Sequence, residues 1–194
     1  MKINAATKII GRKVILVPYS KHHVEKYHYW MKSEELQKLT ASEPLTLEEE
    51  YEMQKSWRED EDKCTFIVLD KTRFERDENE LESMIGDTNI FIVDQHDNIG
   101  EIEIMIAEKS ARGKRFGWEA VILMMLYGID YINLKTYEAK ISFANKASIE
   151  MFKKLMFEEY SRSETFQEVT FRKHVTDTWI EWLNSQSKYN IQSY

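Results

Sequence analysis

The chain has 194 residues, of which 42% are hydrophobic and 31% are charged, and its formal net charge is −7. This composition is typical of a soluble globular chain, and the acidic balance argues against nucleic acid as the main partner. The single cysteine, Cys64, excludes an intramolecular disulfide and suits a reducing compartment. The N-terminal segment MKINAATKIIGRKVILVPYS lacks an apolar run long enough for a signal peptide or a membrane span. We therefore expect a cytoplasmic protein with no membrane partner.

The first half of the chain carries alternating strand and helix patterns. RKVILVPY is rich in β-branched residues and predicts a first strand that ends near Pro18. A helix follows with Ser20 as its N-cap, and a second helix begins at Thr46, where Glu49 completes a capping box. CTFIVLD predicts a second strand. The charged segment 71–84 after it has no apolar period, which indicates a solvated loop or a hairpin insertion.

The second half begins with a hairpin. TNIFIVD and IGEIEIMIA, joined by QHDN, predict an antiparallel pair of a third and a fourth strand. FGWEAVILMMLYGIDYI is apolar nearly all round, which predicts a helix packed on a sheet. KTYEAKISF predicts a fifth strand, NKASIEMFKKLMF an amphipathic helix that opens at Asn145, and ETFQEVTFRKHV a last long strand. The tail after Thr176 predicts a docked helix and then a fraying end. This order of elements predicts an α+β fold with mixed strands.

The stretch ARGKRFGWEA has the pattern of a phosphate-binding turn. A strand that runs through a glycine-containing turn into a helix presents free N–H groups and a positive helix end to an anion. Gly113 and Gly117 allow the backbone to approach a pyrophosphate closely, and Arg112, Lys114 and Arg115 add positive charge. The spacing matches neither a Walker loop nor G-x-G-x-x-G. The alternative is a basic turn that simply starts a core helix.

The surrounding sequence favours one family. Arg112, Gly117 and the following WEA resemble the acetyl-CoA loop Q/R-x-x-G-x-G/A of the GNAT acetyltransferases, and NKASIEMFKKLMF is similar to the helix that this superfamily packs beside the cofactor. YHYWMKSEELQKLTASEPLTLEEEYEMQKSW, DKCTFIVLD, GEIEIMIAE and TFQEVTFR resemble the N-acetyltransferase 9-like family. These segments span most of residues 12–173, whereas segment 71–84 and the tail lie outside the resemblance.

The resemblance implies a GNAT fold formed by residues 1–194 as a single domain, with a core of about 12–174 and a tail of 175–194. It implies a mixed, curved sheet of about six or seven strands, flanked by helices and splayed between the fourth and fifth strands. Acetyl-CoA, as co-substrate, lies in the splay, and no metal is implied. The implied cofactor-binding residues come from the fourth strand, the phosphate loop and the later helix: Ile104, Met105, Ile106, Arg112, Gly113, Lys114, Arg115, Phe116, Gly117, Asn145 and Ser148. For Asn145 and Ser148 the alternative role is helix capping.

Arg115 stands where the family pattern has its first motif glycine. If the backbone there has a positive φ, an arginine costs about 1 kcal/mol of strain. If the conformation is right-handed, the N–H remains available and the guanidinium can pair with a phosphate. We expect the right-handed conformation, because the chain also keeps Gly113 and Gly117.

Two glutamates are the candidates for catalysis. Acetyl transfer to an amine needs a base that takes the amine proton. Glu101 and Glu103 share one face of the fourth strand, opposite Ile102, and the resemblance places the base at Glu101, with Glu103 as the second candidate. The alternative to a catalytic role is that both glutamates simply lie on the solvent-exposed face of a half-buried strand.

The general acid of many GNAT enzymes is a tyrosine in a Y-x-K-x-G-F setting. In FKKLMF, Phe152 takes the tyrosine position and Met156 takes the glycine position. Tyr160 is close in the sequence, but we expect it in the following strand. Solvent must then protonate the leaving thiolate, which is acceptable for a thiol, or catalysis is weak.

The remaining candidates are weaker. His22 and His23 have no metal-ligand spacing with Cys64, and we expect both on the surface; Cys64 is expected to be a buried apolar residue. LTASEPLTLEEE, between the first two helices, belongs to the part of this fold that forms one side of the acceptor groove, where Ser42, Glu43 and Glu48 could attract a cationic amine.

These patterns lead to one function and two alternatives. We expect a monomeric, acetyl-CoA-dependent N-acetyltransferase acting on a protein or peptide amine, and the resemblance implies tubulin amino termini as the substrate. The first alternative is a GNAT-fold protein that binds a cytoskeletal partner with little or no catalysis, which Arg115 and Phe152 favour. The second is a polyamine or aminoglycoside acetyltransferase, which the acidic helix start favours.

Overall fold

A computed structural model describes residues 2–194. Nine strands form one mixed sheet in the order β7-β8-β6-β5-β4-β3-β2-β1-β9. Their bounds are β1 Thr7–Ile10, β2 Val14–Pro18, β3 Lys63–Asp70, β4 Met84–Asp94, β5 Ile99–Ile106, β6 Thr136–Ser142, β7 Glu158–Ser163, β8 Glu168–His174 and β9 Asn190–Ser193.

Within residues 2–194, eight α-helices flank the sheet. Their bounds are α1 Val24–Met31, α2 Glu34–Thr40, α3 Leu47–Glu59, α4 Lys71–Asp77, α5 Glu80–Ser83, α6 Phe116–Ile132, α7 Lys146–Lys154 and α8 Asp177–Gln186. The predicted caps of two of them are confirmed, because Thr46 accepts the N–H of Glu49 and Asn145 accepts the N–H of Ser148. None of the helices in residues 2–194 has both the length and the apolar character that a membrane crossing requires.

The sheet has a hydrophobic cluster on each face. On one face, α6 contributes a nearly continuous buried run, Ala120 to Tyr127, which packs with Phe152 of α7 and Trp179 of α8. On the other face, α1, α2 and α3 cover the sheet with apolar side chains that include Trp30 and Leu36. The all-round apolar character of α6 is explained by this enclosed position.

The strands predicted as fourth and fifth, β5 and β6, pair over only a short length. They are parallel, and their register runs from Ile99↔Thr136 to Glu101↔Glu138 and no further. Beyond Glu101, β5 stays paired with β4 as far as Ile106, whereas β6 stays paired with β8. The predicted splay is confirmed by this register, and it leaves one edge of β5 open.

Three predictions about the elements were wrong. The sheet has nine strands in place of six or seven, because the short strands β1 and β9 pair with each other at one end. Segment 71–84 forms α4 and α5, whose N-caps Asp70 and Asn79 each accept a backbone N–H. The tail end does not fray, because Ile191 of β9 pairs with Ile9.

Glu119 of α6 fixes the tail and the β1–β2 turn to the same helix. Its carboxylate accepts the N–H groups of Arg12, Lys13 and Val14 at 2.7–3.0 Å and the hydroxyl of Ser187 at 2.7 Å. A buried carboxylate needs such donors, since burial without them is costly. The start of α6 is therefore held rigidly.

Candidate active site

The divergence of β5 and β6 opens a cleft of about 710 Å³. Its walls are the open part of β5, the turn before α6, the first turns of α7 and one side of α2. Of the predicted cofactor residues, all except Lys114 line it: Ile104, Met105, Ile106, Arg112, Gly113, Arg115, Phe116, Gly117, Asn145 and Ser148. Lys114 instead offers its carbonyl oxygen to Nζ of Lys13.

The N-terminus of α6 forms one end of the cleft. Arg115, the N-cap residue, offers no side-chain acceptor to the first turn. The N–H groups of Phe116, Gly117 and Trp118 lack partners within the helix, and all three residues line the cleft. Together with the positive end of the helix dipole, they make a binding place for an anion.

The prediction for Arg115 was wrong, because its backbone is left-handed with φ +67°. Gly113 also has a positive φ, +74°, so the turn requires two left-handed residues and one of them is not glycine. The guanidinium of Arg115 lies 5.4 Å from the ring centroid of Trp118 and stacks against it. A second ring, Trp182 of α8, packs edge-on against Trp118 at 6.3 Å.

The side chain of Arg112 is held by protein groups. Its Nε donates to the carbonyl oxygen of Ile106 at 2.9 Å, and a terminal nitrogen donates to Oε1 of Glu35 at 2.5 Å. Lys109 adds a second ion pair to Glu35 at 3.1 Å. Arg112 thus fastens the turn to β5 and to α2, a role that the sequence pattern did not reveal.

The two glycines of the turn have different roles. A Cβ on Gly113 would meet nothing within 4 Å, so glycine is needed there for its positive φ. A Cβ on Gly117 would lie 3.3 Å from Cγ1 of Ile106. Gly117 therefore allows α6 to lie close to β5.

The residues present fit coenzyme A. The walls of the cleft are apolar along Ile104 and Ile106 of β5 and Met151 of α7, which suits a long, thin arm. One end has the open N–H groups of α6, and Lys146 and Lys154 add positive charge to the lining. An extended molecule with an apolar middle and a charged phosphate end matches this distribution.

Glu101 and Glu103 lie on the same sheet face, as predicted, because they pair with Phe91 and Asn89 of β4 while Ile102 is buried in the core on the other face. The environments of the two carboxylates differ. Oε2 of Glu101 accepts from Nζ of Lys140 at 2.6 Å, and only 13% of the Glu101 side chain is exposed. Burial raises the pKa of Glu101 and Lys140 opposes that rise.

The Glu103 carboxylate is more open. The residue is exposed, and Oε2 accepts from Nδ2 of Asn89 at 2.6 Å. In the part of the chain that the structure describes, no ion pair is formed by Glu103. Glu103 is therefore the freer carboxylate, whereas Glu101 is the more shielded and lies where β5 and β6 separate.

Sequence reasoning missed a row of charged side chains that continues this face across β6 and β8. Lys140 pairs with Glu101, and Arg172 pairs with Glu138. The Arg172 guanidinium also lies 3.3 Å from the ring centroid of Tyr160, which lies in β7 as expected. The signal was the charge at alternate positions in YEAK, which places Glu138 and Lys140 on one face.

Two carboxyl groups are buried on the side of the sheet that α1, α2 and α3 cover. Asp87 of β4 and Glu50 of α3 are 4% and 2% exposed. Burial raises the pKa of each to about 7. Within residues 2–194, Oδ1 of Asp87, Oε2 of Glu50 and the hydroxyl of Tyr19 have no hydrogen-bond partner, so these carboxyls favour the protonated form.

The position of the family's general acid holds no hydroxyl. Phe152 is 2% exposed and packs edge-on against Phe157 with ring centroids 5.0 Å apart. Met156, at the family's glycine position, has φ +66°. Both residues that replace a family glycine, Arg115 and Met156, thus adopt the left-handed conformation that glycine accepts most readily.

The prediction that both histidines lie on the surface was wrong for His23. His23 is fully buried, and its Nε2 and that of His22 both lie within 2.8 Å of Oε1 of Glu80. The three side chains bring possible metal-ligand atoms within 4.8 Å of one another. However, Nδ1 of His23 accepts the N–H of Ser20, so Nε2 carries the proton and donates to Glu80. Hydrogen bonding therefore accounts for this cluster.

The lone cysteine has a structural role. Cys64 is 2% exposed and belongs to the core beneath α6, as predicted. Burial raises the pKa of its thiol, which makes it a poor nucleophile.

Comparison with known proteins agrees with this geometry. Residues 13–158 match the family described as "Acetyltransferase (GNAT) domain". Spermidine N-acetyltransferase from Vibrio cholerae, solved in complex with CoA and spermine, superposes with a TM-score of 0.72 at 16% identity over 87% of this chain and 98% of its own. At that identity the likeness establishes the fold alone. The fold is that of the GNAT acetyltransferases.

Closer relatives define the family. Alpha/beta-tubulin-N-acetyltransferase 9 from Drosophila melanogaster is 52% identical over 199 residues, covering 100% of both chains. The Homo sapiens protein of the same name is 52% identical over 193 residues, covering 97% of this chain and 93% of its own. The chain belongs to the N-acetyltransferase 9-like family of GNAT acetyltransferases and is an N-acetyltransferase. The prediction that segment 71–84 and the tail lie outside the resemblance was wrong, because the Drosophila alignment covers 100% of this chain.

Proposed function

We propose that this N-acetyltransferase moves the acetyl group of acetyl-CoA to an amine of a protein acceptor, with the amino terminus of tubulin as the first candidate. The observation that carries the proposal is the cleft between β5 and β6, which has the α6 N-terminus at one end. The Glu101–Lys140 pair lies outside the lining of this cleft, where the pairing of the two strands ends. The choice of tubulin is supported by the names of the Drosophila and human relatives. Residues 1–194 form one catalytic domain in this proposal, and the protein acts in the cytoplasm.

The residues of the cleft have separate roles in this proposal. The N–H groups of Phe116, Gly117 and Trp118 bind the pyrophosphate, and the open backbone edge of Ile104 to Ile106 binds the pantetheine arm as an added strand. Asn145 caps α7, while Ser148 faces the same cleft. Bound acetyl-CoA supplies an activated acyl group.

The carboxylates on β5 prepare the acceptor. An ammonium ion is attracted to Glu101 and Glu103. Glu101 takes its proton, since burial raises the pKa of that carboxyl and makes it a better base, while the hydrogen bond from Lys140 opposes the rise. Glu103, held by Asn89, orients the amine from the exposed side. With Phe152 buried, the leaving thiolate takes its proton from solvent.

The test is acetyl transfer with a panel of acceptors. Purified protein and labelled acetyl-CoA are incubated with tubulin N-terminal peptides, the same peptides with a blocked amino terminus, lysine peptides and spermidine. Among the acceptors of this panel, we expect label in the free N-terminal peptides alone. Label in spermidine alone would instead establish a polyamine acetyltransferase.

A second function has a specific observation in its favour. Arg115 and Met156 occupy glycine positions in a strained conformation, and the position of the general acid is filled by buried Phe152. These departures favour a protein that binds a cytoskeletal partner and acetylates poorly. Binding of tubulin without transfer of label in the same panel would support this function and contradict the first.

A further inference from the structure

Lys140 lies at the point where β5 and β6 separate. The last backbone pair between these strands is Glu101↔Glu138, and Lys140 is two residues further along β6, on the same face. Its Nζ is 2.6 Å from Oε2 of Glu101, and 45% of its side chain is exposed. A primary amine therefore already contacts the proposed base, at the point where the two strands separate.

The dimensions of β5 place the thioester close to this amine. The anion-binding turn meets β5 at Ile106, where Arg112 bonds the carbonyl oxygen. From Ile106 back to Glu101 is five residues, or about 16 Å of strand at 3.3 Å per residue. A pantetheine arm has a comparable extended length, so an arm laid along β5 brings its thioester to the level of Glu101 and Lys140.

We propose that Lys140 is an acetyl acceptor, modified by acetyl-CoA bound in the cleft of the same chain. The inference rests on the proposed function, because donor and cleft are the same. Glu101 takes one proton from the Lys140 ammonium and passes it to solvent. Nζ then bonds to the acetyl carbon as the carbon–sulfur bond breaks, and the departing thiolate takes the second proton from the nitrogen. The products are acetyl-lysine, CoA thiol and one released proton.

The charges around Lys140 give the reaction a recognisable pH dependence. Glu101 of β5, Glu138 of β6 and Glu168 of β8 raise the pKa of Lys140, and the hydrogen bond to Glu101 is the largest cause; Arg172 of β8 pairs with Glu138 and faces the same group. The free-amine fraction is therefore small at neutral pH and rises about tenfold for each pH unit below the pKa. The acetylated side chain has no charge, so its formation releases the Glu101 carboxylate from the ion pair.

The experiment follows acetylation of the full chain by mass spectrometry after digestion. Wild-type protein is incubated with acetyl-CoA at pH 7, 8 and 9. We expect acetyl-Lys140 to form with a first-order rate that rises about tenfold per pH unit, does not depend on protein concentration and is slowed by excess CoA. Lys140→Arg removes this product, whereas the control Lys173→Arg leaves it unchanged, because Lys173 lies over the Trp179 ring on the other face.

Adding a tubulin peptide to the same reactions separates this inference from the proposed function. If a tubulin peptide is acetylated while Lys140 stays unmodified, or reacts no faster than Lys173, the inference is overturned and the proposed function stands. A rate that increases with protein concentration also overturns modification within one chain. If acetyl-CoA neither raises the melting temperature nor labels any acceptor, both are overturned.

Discussion

The guanidinium of Arg112 and the carboxylate of Glu35 form an ion pair of 2.5 Å between the turn before α6 and helix α2. The family pattern assigns this arginine to the pyrophosphate, but the structure gives it a partner on the opposite wall of the cleft. Because α2 also contributes Leu36 and Leu39 to the lining, the pair sets how far that wall stands from β5.

The first prediction concerns this pair. We expect Glu35→Gln and Arg112→Gln each to weaken acetyl-CoA binding several-fold, and the double variant to be no weaker than the worse single one, because both changes break the same contact. Isothermal titration calorimetry of the four proteins measures this coupling. If Arg112 serves mainly as a phosphate ligand, Glu35→Gln will tighten binding by freeing the cation, and our assignment is wrong.

A second prediction concerns Arg115 and Met156, the residues at the family's glycine positions. Both have φ near +66°, and a side chain in that conformation costs about 1 kcal/mol relative to glycine. We expect Arg115→Gly and Met156→Gly each to raise the free energy of unfolding by about 1 kcal/mol relative to the alanine variants at the same positions. Urea unfolding measures the difference. Gly113→Ala, at φ +74° with open space around its Cβ, is the matched control and should be destabilising.

The same residues show where sequence information ends. The β4–β5 hairpin and α6 could be predicted from local alternation and apolar runs, because these patterns do not depend on the rest of the chain. The conformation of Arg115 depends on how β5 is connected to α6, and no pattern of residue types specifies that path. Likewise, β9 is polar and mostly exposed, so only its pairing with β1 makes it a strand.

The third prediction concerns the buried carboxyls Asp87 and Glu50. Their pKa values in the folded protein are about 7, above those of an unfolded chain. Between about pH 4 and pH 7 the folded state holds more protons than the unfolded state, so the free energy of unfolding falls as pH rises through this range and levels off above it. At about 1.4 kcal/mol per pH unit and group, we expect a loss of up to about 5 kcal/mol from the two groups, measured by urea unfolding at pH 5 and pH 8.

Asp87→Asn and Glu50→Gln should flatten that pH dependence, because neither replacement can ionise. Glu52→Gln, an exposed change on the same helix as Glu50, should leave it unaltered. Equal slopes for Asp87→Asn and wild type would show that Asp87 is ionised in the folded protein at pH 5, contrary to our assignment.

The fourth prediction separates Glu101 from Glu103. Glu101→Gln keeps the shape of the side chain but cannot take a proton, so we expect kcat to fall by about 10²- to 10⁴-fold with little change in acetyl-CoA affinity. Part of the rate should return at higher pH, where more acceptor is free amine. Glu103→Gln should raise KM more than it lowers kcat.

The reverse result would assign the base to Glu103, whose carboxylate is exposed and oriented by Asn89. If neither change matters, no carboxylate on β5 acts as the base, and a protein that binds its partner without efficient transfer becomes the better account.

The sequence predicted that the two glutamates share one face of their strand and that a glycine-containing turn precedes α6, since strand alternation and glycine spacing are local features. It did not locate Lys140, Arg172 or Asp87. Lys140 and Arg172 come from strands far from β5 in the sequence, and they join the face of Glu101 only because β6 lies beside β5 and β8. Asp87 of β4 is buried because α1, α2 and α3 cover its side of the sheet. The burial of His23 was missed for the same reason, because Glu80 comes from a segment whose charges indicated a solvated loop.

Every role proposed for the cleft between β5 and β6 depends on acetyl-CoA binding there, and a thermal melting curve detects that binding without an acceptor. A ligand at 100 times its Kd adds about 2.7 kcal/mol of stability, so saturating acetyl-CoA should raise the melting temperature of the wild-type protein. Ala147→Trp should abolish the shift, because Ala147 is exposed on α7 and lines the cleft, where a large ring fills the space. Lys55→Trp, on the exposed side of α3, should keep it. An equal shift in all three proteins, or none in the wild type at millimolar acetyl-CoA, would contradict the account.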